Sequence, residues 1–186
     1  TSTVTASAEV QSTESQILNL PEVRLWTCQM GVYNDGENAE HQVNLLRKNG
    51  WKAAVIQEEP YTIAVGAFPT KNEALVFNEL LSEYKIESWV KEESFPALNY
   101  KVNGKNSKGV IRLLTLSNSL LRGTGINMVK SELESDLEPV FADECPGDFV
   151  QLNTIFNQML TTAYPQNDPN YSYSQDILNL YAVYRK

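Results

Sequence analysis

The sequence has very little of the chemistry that hydrolytic enzymes use. Its 186 residues include one histidine, His41, and two cysteines, Cys28 and Cys145. A zinc amidase needs at least two histidines and a carboxylate as metal ligands, so the sequence excludes that class. His41 lies in the middle of a predicted helix and is most simply a surface residue. We therefore expect no catalytic residue, no metal and no other cofactor.

The two cysteines do not indicate a nucleophile either. Cys28 alternates into a predicted core, where a thiol is usually inert. Two free thiols are the default, and a disulfide is the alternative if the loop around Cys145 folds back on the first strand. The acidic residues occur in runs such as Glu92-Glu93, which predict solvated surface rather than a pair of catalytic carboxylates.

Basic residues and long apolar runs are also scarce. Lysine and arginine number 15 against 23 aspartates and glutamates, a net charge of −8, so nucleic acid and anionic lipid are poor partners. The sequence contains no apolar run of about 18 residues and no signal peptide. Since it begins without Met, we expect a fragment whose upstream part carries a membrane tether.

Changes in composition divide the chain into three predicted parts. Residues 1–22 begin with a Ser/Thr/Glu/Gln-rich stretch without aromatic side chains, which predicts a disordered linker. Residues 23–102 form a predicted repeat domain, and residues 103–186 form a predicted helical C-terminal region.

A short motif occurs twice in the repeat domain. Gly31-Val-Tyr33 followed by Ala39 recurs as Gly66-Ala-Phe68 followed by Ala74, at a constant spacing of 35 residues. Each copy reads as a strand, a helix and a second strand. Two such halves predict a ferredoxin-like βαββαβ α+β fold, a four-stranded antiparallel sheet with two helices on one face.

Alternation assigns side chains to the two faces of this sheet. Every second residue of the two central strands is apolar, and these side chains are predicted to face the helices: Trp26, Cys28, Met30, Val32, Tyr61, Ile63, Val65 and Ala67. The residues between them are predicted to form an open face, which comprises Thr27, Gln29, Gly31, Thr62, Ala64 and Gly66, with Trp89 and Lys91 from the last strand.

An exposed tryptophan on a small, polar, glycine-containing face allows three interpretations. The C-terminal helices pack over the face and bury Trp89, which is the ordinary fate of large apolar surface. Alternatively, Trp89 stacks on a sugar ring while Gln29 and Thr62 bind its polar groups. A third possibility, RNA, is disfavoured because the central strands lack aromatic side chains and the chain is acidic.

The repeat domain resembles the SPOR family of peptidoglycan-binding domains over residues 25–102. The segments that carry the resemblance are Cys28-Gln29-Met30-Gly31-Val32-Tyr33, Asn38-Ala39-Glu40, Leu46-Arg-Lys-Asn-Gly50, Tyr61-Thr-Ile-Ala-Val65-Gly66-Ala-Phe68 and Asn72-Glu73-Ala74. The resemblance implies an extracytoplasmic protein that binds glycan strands stripped of stem peptides at a division or sporulation septum.

The resemblance also implies a set of binding residues. Gln29 on the first strand, Trp89 on the last strand and Tyr61 match family binding positions, although alternation points Tyr61 toward the helices. Lys91 and Lys52 would pair weakly with the anionic lactyl groups of the glycan. The complete predicted glycan site is Gln29, Trp89, Thr62, Gly31, Gly66, Tyr61 and Lys91.

The C-terminal region shows four one-sided apolar stripes at helical spacing. They comprise Val110, Leu113, Leu114 and Leu121; Ile126, Val129, Leu133 and Leu137, ended by Pro139; Phe149, Leu152, Phe156, Met159 and Leu160; and Ile177, Leu180, Tyr181 and Tyr184. These helices could contact septal or engulfment proteins.

The sequence therefore predicts one function and leaves one alternative. The first, predicted function is non-catalytic binding of septal glycan strands on the open face. The alternative is a septal protein-interaction module in which helices or a partner occupy that face. Exposure of Gln29 and Trp89 in a groove favours the first, and burial of Trp89 under the C-terminal helices favours the second.

Overall fold

The computed structural model describes residues 16–104, 107–135, 145–165 and 171–185. These residues form an α+β fold with two antiparallel sheets and six α-helices. None of the helices in these ranges is long and apolar enough to cross a membrane.

A two-stranded sheet brings the beginning of the described chain to the end of the repeat domain. Strand β1 (Gln16–Leu20) pairs antiparallel with β6 (Leu98–Val102). The predicted linker is therefore wrong for residues 16–20, where alternation buries Leu18 and Leu20 and so favours a strand. The rest of that prediction, residues 1–15, lies outside the described residues.

The larger sheet has four antiparallel strands in the order β3-β4-β2-β5. The two central strands, β4 and β2, carry both copies of the repeated glycine motif, and β3 and β5 form the edges. The bounds are β2 (Val23–Tyr33), β3 (Ala54–Gln57), β4 (Tyr61–Phe68) and β5 (Trp89–Phe95).

Helices α1 (Gly36–Lys48) and α2 (Lys71–Glu83) cover one face of this sheet. Thr70 is the N-cap of α2: the Glu73 N–H donates to Thr70 Oγ1 over 3.3 Å, and the Thr70 hydroxyl donates to the Glu73 carboxylate over 2.9 Å. The side chains that these helices bury are Ala39, Val43 and Leu46 in α1, and Ala74, Phe77 and Leu81 in α2.

Four helices follow the repeat domain, and their buried faces match the predicted stripes within the described residues. Leu137, the last predicted member of the second stripe, and Pro139, which was predicted to end that helix, lie outside those residues. The bounds are α3 (Ser107–Leu121), α4 (Ile126–Ser135), α5 (Val150–Thr161), which follows a 3₁₀ turn at Gly147–Phe149, and α6 (Ser172–Tyr184).

The sheet separates two hydrophobic cores. The helix-side core lies between the sheet, α1 and α2, and contains Phe77 and Ile63. The second core joins the opposite face of the sheet and β1 to α3, α4, α5 and α6, and includes Leu25, Ala64 and Tyr181. The C-terminal helices therefore share a core with the repeat domain.

Candidate binding face of the four-stranded sheet

The predicted open face is covered by helix α6. Leu178, Leu180 and Tyr181 of α6 are fully buried in the core that they share with Ala64 of β4. Gln29 retains 2% of its exposure and Thr62 retains 5%, because they lie in the interior beneath the C-terminal helices. The sequence prediction of an open face is therefore wrong at its centre.

Gln29 is hydrogen-bonded within the protein. Its Nε2 donates to Glu93 Oε1 over 2.9 Å and to Thr27 Oγ1 over 3.2 Å. The Thr27 hydroxyl in turn donates to the Lys91 carbonyl over 3.3 Å. Glu93, which was predicted to be solvated surface, instead accepts a hydrogen bond from a buried amide. Both amide hydrogens of Gln29 are thus used inside the fold.

Two β-bulges explain why strict alternation fails along the central strands. Cys28 lies opposite Gly66 and Gln29 opposite Ala64, so Val65 is an extra residue in β4. Gly31 then lies opposite Ile63, so Met30 is an extra residue in β2. Each inserted residue reverses the facing of the side chains beyond it.

The bulges place both glycines of the repeat motif away from the predicted open face. A Cβ at Gly66 would lie 2.8 Å from Cε1 of Phe77 in the helix-side core. A Cβ at Gly31 would lie 2.7 Å from the ring of Tyr33, which packs against the same core. The glycines therefore admit aromatic rings of this protein rather than a ligand.

The same reversal corrects two assignments to the helix side. Val32 was predicted to be core and is 52% exposed, whereas Ala67 is buried in the core shared with α6. Tyr61 does pack against the helix-side core, as alternation predicts. The structure therefore separates Tyr61 from Gln29 and Thr62, with which the resemblance groups it.

Trp89 lies at the rim of the covered face. It is opposite Gln29 in the register of β2 and β5, yet 43% of it is exposed, because β5 is an edge strand. Lys91, two residues along the same strand, is also exposed. Trp89 is thus neither part of an open groove nor buried under the C-terminal helices.

Polar contacts with Lys52, which precedes β3, hold the first half of α6 against the sheet. The Lys52 N–H donates to Gln175 Oε1 over 2.5 Å, and Asn179 Nδ2 donates to the Lys52 carbonyl over 3.4 Å. The Lys52 ammonium pairs with Asp176 at 2.8 Å. Lys52 was predicted to pair with an anionic glycan, and its charge instead stabilises the docking of α6.

Asp176 also orders a tyrosine that precedes α6 in the chain. The Tyr164 hydroxyl donates to Asp176 Oδ2 over 2.6 Å. Burial, reinforced by this hydrogen bond and by the negative charge of Asp176, raises the pKa of Tyr164. The phenol therefore stays protonated and the contact with Asp176 persists at neutral pH.

Within the described residues, the metal-ligating side chains are dispersed and the two cysteines form no disulfide. No group of three or more His, Cys, Asp or Glu side chains in these ranges could hold a metal ion. Both cysteines are free, and burial raises the pKa of the Cys28 thiol to about 12. Cys28 donates to the Ala74 carbonyl over 3.3 Å in the helix-side core.

Sequence reasoning missed the residues that fix α6 on the sheet. Gln175 and Asn118 are each 2% exposed. Asn118 donates to the Pro21 carbonyl over 2.9 Å and to the Tyr184 hydroxyl over 3.0 Å. A polar residue inside an apolar helical stripe was the available signal, since buried amides need partners.

Comparison with known proteins gave no further assignment. No protein-family model, no curated protein and no solved structure matches this chain.

Proposed function

We propose that residues 23–102 form a ferredoxin-like domain of the SPOR type in a non-catalytic, extracytoplasmic protein of the division or sporulation septum. The strand order β3-β4-β2-β5 with α1 and α2 on one face supports the fold. The repeated glycine motifs support the family. The buried thiol of Cys28 and the exposed position of His41 on α1 support a role without catalysis.

Within that setting, the protein acts as a protein-interaction module and does not bind glycan strands stripped of stem peptides on this sheet face. One observation carries this proposal: α6 occupies the sheet face on which Gln29 and Thr62 lie. A sugar ring cannot reach Gln29 while α6 is docked, because 2% of that side chain is exposed.

The energetics of α6 argue against a simple opening of this face. Five large side chains of the helix are buried: Ile177, Leu178, Leu180, Tyr181 and Tyr184. At roughly 1.5–3 kcal/mol each, their burial contributes a gross stabilisation of about 8–15 kcal/mol, from which the entropy of ordering the helix is subtracted. A glycan that displaces α6 would have to offset the net stabilisation that remains.

In a second candidate function, the protein binds glycan at the rim of the covered sheet face. The exposure of Trp89 favours it, because a half-exposed indole can stack on a pyranose. Lys91 is exposed beside it and could pair weakly with an anionic substituent. In this version the binding site is an edge of the sheet, without Gln29, Thr62 or the glycines.

A pull-down on purified peptidoglycan sacculi, with and without amidase treatment, separates the two functions. It compares the wild type with Trp89→Ala and with Val76→Ala, a matched control that is 55% exposed on α2. We expect the wild type to stay in the supernatant in both preparations. Retention that rises with amidase treatment and is abolished by Trp89→Ala alone would overturn the proposal and establish the rim as a glycan site.

A further inference from the structure

The larger sheet has an exposed edge at β5. Among the described residues, β5 pairs with β2 on one side and with no strand on the other. Its pairing with β2 runs through all seven residues, Trp89–Phe95, without a register shift. Edge strands carry unpaired N–H and C=O groups, and proteins commonly protect them with short length, a bulge or a proline. Strand β5 has none of these three features.

The opposite edge, β3, is protected in this way. It has four residues, and its pairing with β4 shifts register between Val55 and Gln57. A short, irregular edge is a poor template for another strand. Of the two edges, β5 is therefore the one suited to pair with a further chain.

Side chains on both faces of β5 are exposed. Trp89 and Lys91 lie on the face that α6 covers at its centre, because residues directly opposite each other on paired strands share a face and Trp89 is opposite Gln29. Glu92 and Ser94 lie on the other face, toward α1 and α2. All four β5 side chains are exposed, so neither helix layer closes this edge.

Strand β5 is self-complementary in one antiparallel register. A two-fold axis at Glu92, the middle residue of the strand, pairs all seven residues of two copies. Lys91 of each copy then lies opposite Glu93 of the other, so that opposite charges meet twice, and Trp89 likewise lies opposite Phe95. An axis at Lys91 or at Glu93 would place like charges opposite each other and shorten the paired length.

This register creates one unfavourable pair, Glu92 opposite Glu92 of the second copy. Arg24 Nη1 lies 3.5 Å from Glu92 Oε1, and Arg24 also pairs with Glu22, so a guanidinium from each copy offsets part of that repulsion. On the other face, Glu93 accepts the Gln29 amide through Oε1, and its second carboxylate oxygen can accept from Lys91 of the second copy.

We infer that β5 pairs antiparallel with β5 of a second copy of this chain, about an axis at Glu92, and so extends the sheet across a homodimer. The inference rests on the proposed protein-interaction function and names the partner. A sugar at the same rim could stack on Trp89, but it would leave the backbone groups along the rest of β5 unpaired. A second strand pairs them along its whole length.

The competing interpretation is that Lys91 and Glu92 are charges that keep the edge of a monomer from pairing. Sedimentation equilibrium of the full chain over a range of concentrations separates the two interpretations. Lys91→Glu sets like charges opposite each other at two symmetric positions of the dimer. Its matched control is Lys48→Glu, which changes the net charge equally at an exposed position in α1.

Disulfide trapping tests the register, in a Cys145→Ser background because Cys28 is buried and Cys145 is not. Glu92→Cys places two thiols opposite each other, at the Cα separation of about 4.5–5.5 Å of paired strands, which a disulfide can span. Ser94→Cys is the matched control, because Ser94 is also exposed but would lie about 13 Å from its counterpart. Both proteins are oxidised under the same mild conditions and compared on non-reducing gels.

We expect a reversible dimer with a Kd tighter than about 100 µM. Lys91→Glu weakens it at least about tenfold, Lys48→Glu leaves it unchanged, and Glu92→Cys alone is trapped as a covalent dimer. A weaker Kd for the wild type, equal weakening by the two lysine variants, or trapping of Ser94→Cys as readily as Glu92→Cys would each overturn the inference. None of these measurements involves peptidoglycan, so a monomeric chain leaves the sacculus result as it is and the two proposals fail separately.

Discussion

At the scale of single residues, side chains predicted to recognise a ligand serve the interior of this protein. Gln29 is the clearest example, because its amide binds Glu93 and Thr27 beneath the C-terminal helices. Its residue type fits a sugar site equally well. What decides between the two roles is the position of α6, which lies more than 140 residues away in the sequence.

We predict that Gln29→Ala destabilises the protein by about 1–3 kcal/mol, because it removes the donor to a partly buried carboxylate and leaves a cavity. Urea unfolding followed by circular dichroism measures the change. Gln57→Ala on β3 is the control, since Gln57 is exposed, and we expect a change below about 0.5 kcal/mol. Equal effects of the two substitutions would contradict the buried role of Gln29.

Cys28 gives a prediction for alkaline pH. The pKa of its thiol rises from 9.0 to about 12 on folding, through burial. Below pH 9 both states keep the proton and the stabilisation is complete. Above pH 9 only the unfolded chain releases it, so stability falls by up to about 1.4 kcal/mol per pH unit until pH 12.

We therefore expect the free energy of unfolding of wild type to fall more steeply between pH 8 and pH 10 than that of Cys28→Ala, by about 1.4 kcal/mol. Three tyrosines, Tyr164, Tyr173 and Tyr181, also have pKa values raised by burial, and they contribute equally in both proteins. Urea titrations at several pH values measure the difference. Parallel pH profiles for the two proteins would refute the assignment.

At the scale of elements, the bulge in β4 has a direct stability consequence. We predict that Gly66→Ala destabilises the protein by about 1–3 kcal/mol, because the added methyl group meets the Phe77 ring at 2.8 Å. Gly147→Ala is the control, since no atom lies within 4 Å of a Cβ there. In the double variant with Phe77→Leu, the penalty for Gly66→Ala should shrink, because leucine lacks the contacting ring atom. Thermal melts measure the stability lost on Gly66→Ala in each background. An equal loss in the wild-type background and in the Phe77→Leu background would contradict the contact between residue 66 and the Phe77 ring.

The elements were predictable to different degrees, for physical reasons. The helices follow from local rules: the N-cap at Thr70 and the stripe through Ala74 and Phe77 need only neighbouring residues. The bulges at Met30 and Val65 each add one residue to a period of two. Gly31 and Gly66 directly follow the two inserted residues and were the available signal, since a glycine inside a strand often marks a bulge. Strand β1 was missed because its partner β6 lies about 80 residues away.

Packing of the C-terminal helices over the sheet face was one of three interpretations, and the sequence favoured an open glycan-binding face instead. The apolar stripe of α6 requires a partner surface but does not specify one. Two such surfaces were available, the other helices and the sheet, and α6 uses both.

At the scale of the whole molecule, the shared core makes the repeat domain and the C-terminal helices one cooperative unit. Leu178 is fully buried in this core, and the three tryptophans, Trp26, Trp51 and Trp89, all lie in the repeat domain. We predict that Leu178→Ala lowers stability by about 2–5 kcal/mol. The midpoints measured by tryptophan fluorescence and by far-ultraviolet circular dichroism should fall together, because the loss of α6 exposes the sheet.

The comparison variant is Val150→Ala, which trims an exposed side chain on α5 and should leave both midpoints in place. If Leu178→Ala lowers the helical transition while the tryptophan transition stays at its wild-type position, the repeat domain folds without α6. In that case the sheet face could open at modest cost, and Gln29 and Thr62 would again be available to a glycan. Coincident transitions instead mean that the face is permanent interior, so a partner must be bound elsewhere on the molecule.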